Sequence, residues 1–476
     1  MAGNELNSTA SNNHANYGSG VEVEKEVIEE GTGSLFSGII NLTNTIVGAG
    51  VLGLPFAFNS SGLGLGMLLL SAVGIVETYS LILLLESSKV TGIDSYGGVA
   101  KAAYGVVMDY IVQFNIMLQC FGVCVAYTVI IGDLVPSVML YCVGNLLDFA
   151  TYWDVALLID VFEGMMHLIT ADAWIVRTMT MIIISFLVIF PLVCLRKMDS
   201  LRFTSVIAIF SIFYVCLLVV VWATLLALDL LFDTSLLGTS EDNAQRDERR
   251  VELFKTSSSV ALTIPIFTLA YTCHMNMHPI YRELRNPTRL RAYTVVSVST
   301  ITCTLIYAVV GICGYFVYLQ ETQGNILLNF PQSNIFIQIA RVGVTLTVTF
   351  SFPVLAYPLR LSFDRIFFAS WMKPEMLERH PWSLIRFIIE GFFIVLGALV
   401  LGILLPKVEN VFDVVGASCS TLVSMVFPQL IFFRLGPGEW YRFHKLVALF
   451  VGCMGTFLAV VTTSITLLEI VGVLEK

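Results

Sequence analysis

Two apolar stretches hold the residues whose types and spacing could do chemistry. The first, 41–55, reads NLTNTIVGAGVLGLP. Gly48 and Gly50, flanking Ala49, can leave helical geometry at low steric cost. Unwinding there frees amide donors and points the positive end of the following half-helix at an anion such as a carboxylate. Thr45, Val47, Gly48, Ala49 and Gly50 are therefore expected to bind substrate, with the backbone of Val47–Gly50 holding its carboxylate. The Asn44 and Thr45 side chains with the freed carbonyls suit a small hard cation, which wants oxygen ligands. The second stretch, 263–279, reads TIPIFTLAYTCHMNMHP, and Pro265 and Pro279 each remove a backbone hydrogen bond. Tyr271, Thr272, His274 and Asn276 between them are expected to face the rest of the substrate.

Three further groups are candidates. Thr345, Thr347, Thr349 and Ser351 precede Pro353 and Pro358; Thr349 or Ser351 could complete an oxygen cage with Asn44. Hydroxyls on membrane helices also bond back to their own helix. His274 and His278 stand at i, i+4, the spacing of two metal ligands. No acidic or cysteine partner has zinc-site spacing, so hydrogen bonding within the bundle is the favoured reading and proton response the second. Glu77, Asp133, Arg341 and Glu390 are ionisable inside apolar runs, which makes them functional candidates by default. Glu77 and Glu390 suit proton carriage or structural pairing; Arg341 suits snorkelling or pairing with an acid.

Other features read as structure. GLGLG at 62–66 follows an apolar run, not a strand, and marks a turn. The sequon at Asn59 hugs the end of a span and is a weak glycosylation signal. All ten cysteines lie in or beside apolar runs without a Cys-x-x-Cys, as small buried hydrophobes would. No nucleophile–base set, phosphate loop or metal cluster appears, which argues against an enzyme, and nothing suggests nucleic acid. The only small ions expected are sodium or a proton.

The elements that position these residues must be membrane spans. Hydrophobic residues make up 57% of the 476 and charged residues 13%, about half the charge of a soluble domain. Eleven spans are expected, near 36–58, 64–86, 110–142, 174–195, 204–231, 257–279, 293–318, 334–358, 383–404, 408–433 and 444–470. The third is overlong. The acidic stretch 150–172 reads as an amphipathic helix outside the bilayer. Residues 1–33 read as a disordered cytosolic tail without signal-peptide features, so the first span serves as its own insertion signal. With that tail cytosolic, the inner segments and Arg386 hold roughly 18 of the 26 basic residues.

Residues 34–231 and 257–433 then form two sets of five spans in opposite orientation, with 434–476 carrying the eleventh. Each set opens on a broken helix. Paired broken helices in corresponding positions point to the binding site of a secondary transporter. A channel or heptahelical receptor fits eleven spans poorly. The sequence is silent on oligomeric state.

These blocks resemble the amino acid/auxin permease family. NLTNTIVGAGVLGLPFAF and TIPIFTLAYTCHMNMHPIYREL are similar to its first and sixth helices. Within it, the match is to sodium-coupled neutral amino acid transporters and plant vacuolar-type amino acid transporters. FPVLAYPLRLSFDRIFF, IIGD, SYGG and MDSLRFTS fit the plant-type branch. The resemblance spans about 34–470. It implies an all-α, eleven-helix, five-plus-five inverted repeat and transport of small neutral amino acids driven by sodium or protons. It also implies that Asn44 and Thr349 or Ser351 serve the ion; the Asn leans towards sodium. The short, cysteine-free outer loop departs from animal plasma-membrane members and weighs towards an internal membrane, without deciding among vacuolar or lysosomal, endoplasmic reticulum and plasma membranes. An amino acid sensor of the same fold is the alternative.

Overall fold

The computed structural model describes residues 33–152, 156–195, 202–232, 250–255, 260–368 and 383–471. The tail 1–32 and most of the loop 233–256 lie outside them. Among the described residues, nine continuous helices are long and apolar enough to cross a membrane: Leu63–Thr91, Val106–Tyr152, Ala173–Val193, Ile207–Asp229, Arg289–Glu321, Ile335–Phe367, Ser383–Leu404, Val408–Leu435 and Phe443–Ile470. The bent pair Leu35–Ile46 and Gly50–Ser61 makes a tenth. The protein is thus an all-helical, multi-pass membrane protein.

The sixth expected span is a second broken helix, Val260–Tyr271 and His274–Glu283. It runs antiparallel to the first. At one end, Gly33 donates its amide to Glu283 O (2.7 Å) and accepts from Arg285 N (2.8 Å). At the other, Lys255 N bonds Ser61 O (3.0 Å), and Leu63 N bonds Glu252 O (2.8 Å). The sixth segment therefore joins the same two faces as the first and supplies the eleventh crossing. The face bearing Gly33 is called the tail face below.

Packing repeats itself under exchange of the two sets. The first span packs on the seventh as the sixth packs on the second; the second meets the tenth as the seventh meets the fifth. The third meets the tenth and ninth as the eighth meets the fifth and fourth, and the two self-corresponding pairs, first–sixth and third–eighth, cross centrally. Short helices Tyr96–Tyr104 and Ile326–Asn329 precede the third and eighth spans on opposite faces. This is the expected inverted repeat.

The third span has 47 residues, a length of ~70 Å at 1.5 Å per residue. A hydrocarbon core is ~30 Å thick, so the helix projects well past it. The expected amphipathic helix is Ala156–Ala171, packed back on the third span with Asp160, Glu163 and His167 exposed. Gly62, at φ +81°, turns the chain between the first and second spans, as the GLGLG segment suggested.

Candidate functional site

The first span breaks where its glycines stand. The helix ends at Ile46, Gly48 is extended (φ −97°, ψ −158°), and a 3-10 turn over Ala49–Gly53 leads into the second half with Pro55 in its first turn. The halves are bent by 51°. The Gly50 amide has no backbone partner among the described residues. A Cβ at Gly48 would meet nothing within 4 Å, so this residue borders open space. The side-chain surroundings of Ala49 lie outside the described residues.

The sixth span breaks at Thr272–Cys273, with Cys273 at φ −133°, ψ 8°. The two breaks lie against each other: a Cβ at Gly50 would stand 3.2 Å from the Ala270 Cα. One side chain joins them. The buried Tyr307 hydroxyl of the seventh span lies 2.7 Å from Ile46 O and 2.8 Å from Ala270 O, carbonyls next to the two breaks. The sequence gives no local signal for this residue, because both partners are remote in the chain.

Sequence-derived positions divide between the opening and the surrounding bundle. Asn44, Thr45, Gly48, Thr272 and Asn276 are partly exposed beside the breaks, while Val47 is buried. Thr45 and Thr272 bond back to Asn41 O and Thr268 O. Tyr271 does not face the opening: its hydroxyl bonds Thr304 (2.7 Å) and its ring packs edge-on against Tyr307. His274 is fully buried and turned towards the second span, with Ser80 3.0 Å from Nε2. Tyr271 closes the half-helix before the break and His274 opens the one after it, so the break sets their directions apart, which sequence alone left open.

Asn44, Thr349 and Ser351 share no hydrogen bond among the described residues. The first and eighth spans approach at a small gap lined by Val51, Leu52, Val344 and Thr347. No cluster of three or more histidine, cysteine or acidic residues that could hold a metal occurs among the described residues.

A cavity of about 720 Å³ opens on the tail face and reaches the second half of the sixth span at Met275 and His278. Its other walls come from Tyr96, Gln113 and Ser362, with the Asp109–Arg365 ion pair (2.9 Å) at its rim. Gly97 is required there: a Cβ would stand 2.3 Å from Gln113 and 2.4 Å from Asp109. On the far face, the first and sixth spans are packed shut. Phe58 sits edge-on against Phe267, and Pro55 lies so close to Gly314 that a Cβ there would be 2.5 Å away.

Most span-buried charges are paired. Asp133 binds Arg177 (2.9 Å) and Glu390 binds Arg386 (3.3 Å), so both are structural. Arg341 neither snorkels nor meets an acid: 1% exposed, it donates to Leu327 O (3.0 Å) and Phe330 O (2.8 Å) beside the helix Ile326–Asn329. The sequon is also occupied otherwise, since Asn59 donates to Gln320 O and accepts from Lys255. All ten cysteines are free thiols.

The model of the family described as transmembrane amino acid transporter protein matches residues 31–468. Amino acid transporter AVT6E of Arabidopsis thaliana is 29% identical over 86% of this chain and 77% of its own. AVT6B of the same plant is 26% identical over 88% and 87%. The crystal structure of MhsT in complex with L-phenylalanine aligns with 90% of this chain and 99% of its own, at 14% identity and a TM-score of 0.49.

Proposed function

The chain belongs to the transmembrane amino acid transporter family, and we propose that it moves a small neutral amino acid by alternating access, coupled to a cation gradient. One observation carries this reading: two broken helices cross antiparallel with their breaks in contact, and a cavity open on the tail face reaches the sixth span at Met275 and His278, just past its break. Irregular backbone at membrane depth is tolerated only where it is buried in protein or lines a cavity.

The substrate carboxylate fits the Gly48–Gly50 end, where an unpaired amide meets the positive end of the second half-helix. Gly48 leaves the backbone open to approach. Thr272 and Asn276 face the amino group and side chain. Of the cations lining the cavity, Arg365 is bound to Asp109 and Arg386 to Asp364. Asn44 with Thr349 or Ser351 is the oxygen set available to sodium. The N-terminus is cytosolic, so the cavity opens inward.

Uptake of each of the twenty radiolabelled amino acids into proteoliposomes, and their exchange across the membrane, tests this directly. Saturable transport of small neutral amino acids, competed by one another, is expected. No transport of any by well-folded protein would overturn the reading.

A further inference from the structure

Glu77 sits in the second span, 1% exposed, and neither carboxylate oxygen has a hydrogen-bond partner among the described residues. Ser424 of the tenth span approaches it without closing a well-formed bond, its own hydroxyl being likewise unpartnered. Unlike Asp109, Asp133, Asp364 and Glu390, this acid has no arginine. Its partner is His274, whose Nδ1 lies 3.6 Å from Glu77 Oε2.

The surrounding hydrogen bonds fix where a proton must go. The Ser80 hydroxyl donates to Ser424 O, a carbonyl that can only accept, in the π-helical turn Leu422–Val426. Its single proton being spent there, Ser80 Oγ must accept from His274, so Nε2 carries a hydrogen. A neutral imidazole then presents a bare lone pair at Nδ1, facing a carboxylate. Two acceptors facing each other are stable only with a proton between them. The pair titrates as a unit, held either as carboxylic acid with imidazole or as carboxylate with imidazolium.

We propose that Glu77 and His274 together bind the coupling proton of the transport cycle, a deepening that rests on the transporter reading above. His278, one turn on and lining the tail-face cavity, connects the pair to solvent; both its ring nitrogens lack partners among the described residues. The other titratable groups around the pair are Tyr96, whose hydroxyl bonds Val423 O, Tyr271 and Cys273. The seventh span contributes Cys303 and Tyr307 behind Tyr271. Cys419 of the tenth faces Cys120 instead, and the first span offers no titratable side chain from 41 to 61. The pair also borders the tenth span: Glu77 and Ser80 of the second span and His274 of the sixth share one packing group, which meets Ser424 of the tenth. Gaining or losing the proton therefore changes contacts across their seam.

The test uses the full chain in proteoliposomes, with radiolabelled alanine and glutamine and an imposed pH gradient without sodium. Wild type is expected to concentrate label and to take up protons with it, read by an internal pH dye. In Glu77→Gln, an amide that can donate to Nδ1 permanently imitates the protonated pair. Concentration against the gradient is lost, and equal-pH exchange no longer responds to pH. Gradient-driven concentration surviving in Glu77→Gln would overturn the proposal, as would loss of exchange and concentration together, the mark of a structural role. Should that variant not fold, Ser80→Ala frees the tautomer while keeping both titrating groups, and must displace the pH profile of wild-type uptake; an unmoved profile overturns the proposal. Exchange driven by sodium alone, with no proton movement, overturns the proton pair and leaves transport standing. No exchange at all overturns both.

Discussion

Single residues at the crossing divide into those that leave room and those that hold it. Gly48 faces open space, and its backbone lies in a region any residue can adopt, so a side chain there is tolerated by the fold. Gly48→Leu is expected to insert and melt like wild type while amino acid exchange falls at least about tenfold, because an added side chain fills the space the carboxylate needs; a tenfold loss corresponds to ~1.4 kcal/mol. Unchanged exchange would move the substrate elsewhere. Gly50 is a poorer probe, since a side chain there pushes on Ala270 and separates the half-helices. Tyr307→Phe makes the complementary test. It strips the shared hydroxyl from Ala270 O and from Ile46 O, the latter keeping the Gly48 amide; a buried group left unsatisfied costs about 1–3 kcal/mol. A lower melting temperature and slower exchange are expected; a variant matching wild type in both would mean that the hydroxyl is no clamp.

At the scale of elements, the least conspicuous helix makes the sharpest prediction. Ile326–Asn329 is a single turn, too short to be stable by itself. Arg341 stabilises its exit by donating to Leu327 O and Phe330 O from within the eighth span. Hydrogen bonds from a charged donor contribute about 1.5–3 kcal/mol each. Arg341→Gln, whose shorter, uncharged side chain does not reach both carbonyls, should therefore speed amide hydrogen exchange across 322–332 while leaving the third span protected. Equal protection of that segment would refute the assignment. How much of this was legible in advance follows from range. Spans and their two breaks could be read from apolar runs, glycines and prolines, since each is decided within one helical length. The π-turns of the tenth span, the Tyr307 clamp and the partner of Arg341 could not. Their causes are contacts between residues far apart in sequence, and Arg341 accordingly reads from sequence as a snorkelling residue or the partner of an acid. His274 was legible as special but not in its direction: a break resets the helical phase, and only packing against Ser80 fixes it.

For the whole molecule, packing separates two bodies. The first, second, sixth and seventh spans pack on one another, and the third, fourth, eighth and ninth form the other group, with the fifth and the tenth each touching both. The ties at Gly33–Glu283 and Ser61–Lys255 both fall inside the first body, so its two broken helices travel together. What differs between the faces is the seam. On the tail face it is open as the 720 Å³ cavity. Towards the far face, Gly53 lies against Phe412, and Gly416 lies so near Pro265 that a Cβ would fall 2.2 Å from its carbonyl oxygen. Rigid rotation of one body on the other would exchange these conditions, the usual route of alternating access in repeat-built transporters. Met275 reports on the seam, being partly exposed at the head of the cavity. With the two exposed thiols removed as Cys142→Ser and Cys453→Ser, Met275→Cys should react with a membrane-impermeant thiol reagent applied from the tail face. Reaction from the far face should be much slower, and saturating substrate should change the tail-face rate by repopulating the closed arrangement. Equal reaction from both faces would describe a continuous pore, and indifference to every amino acid that exchanges would uncouple the cavity from transport. Substrate-dependent protection confined to the tail face is the result that two bodies hinged about a closed far seam require.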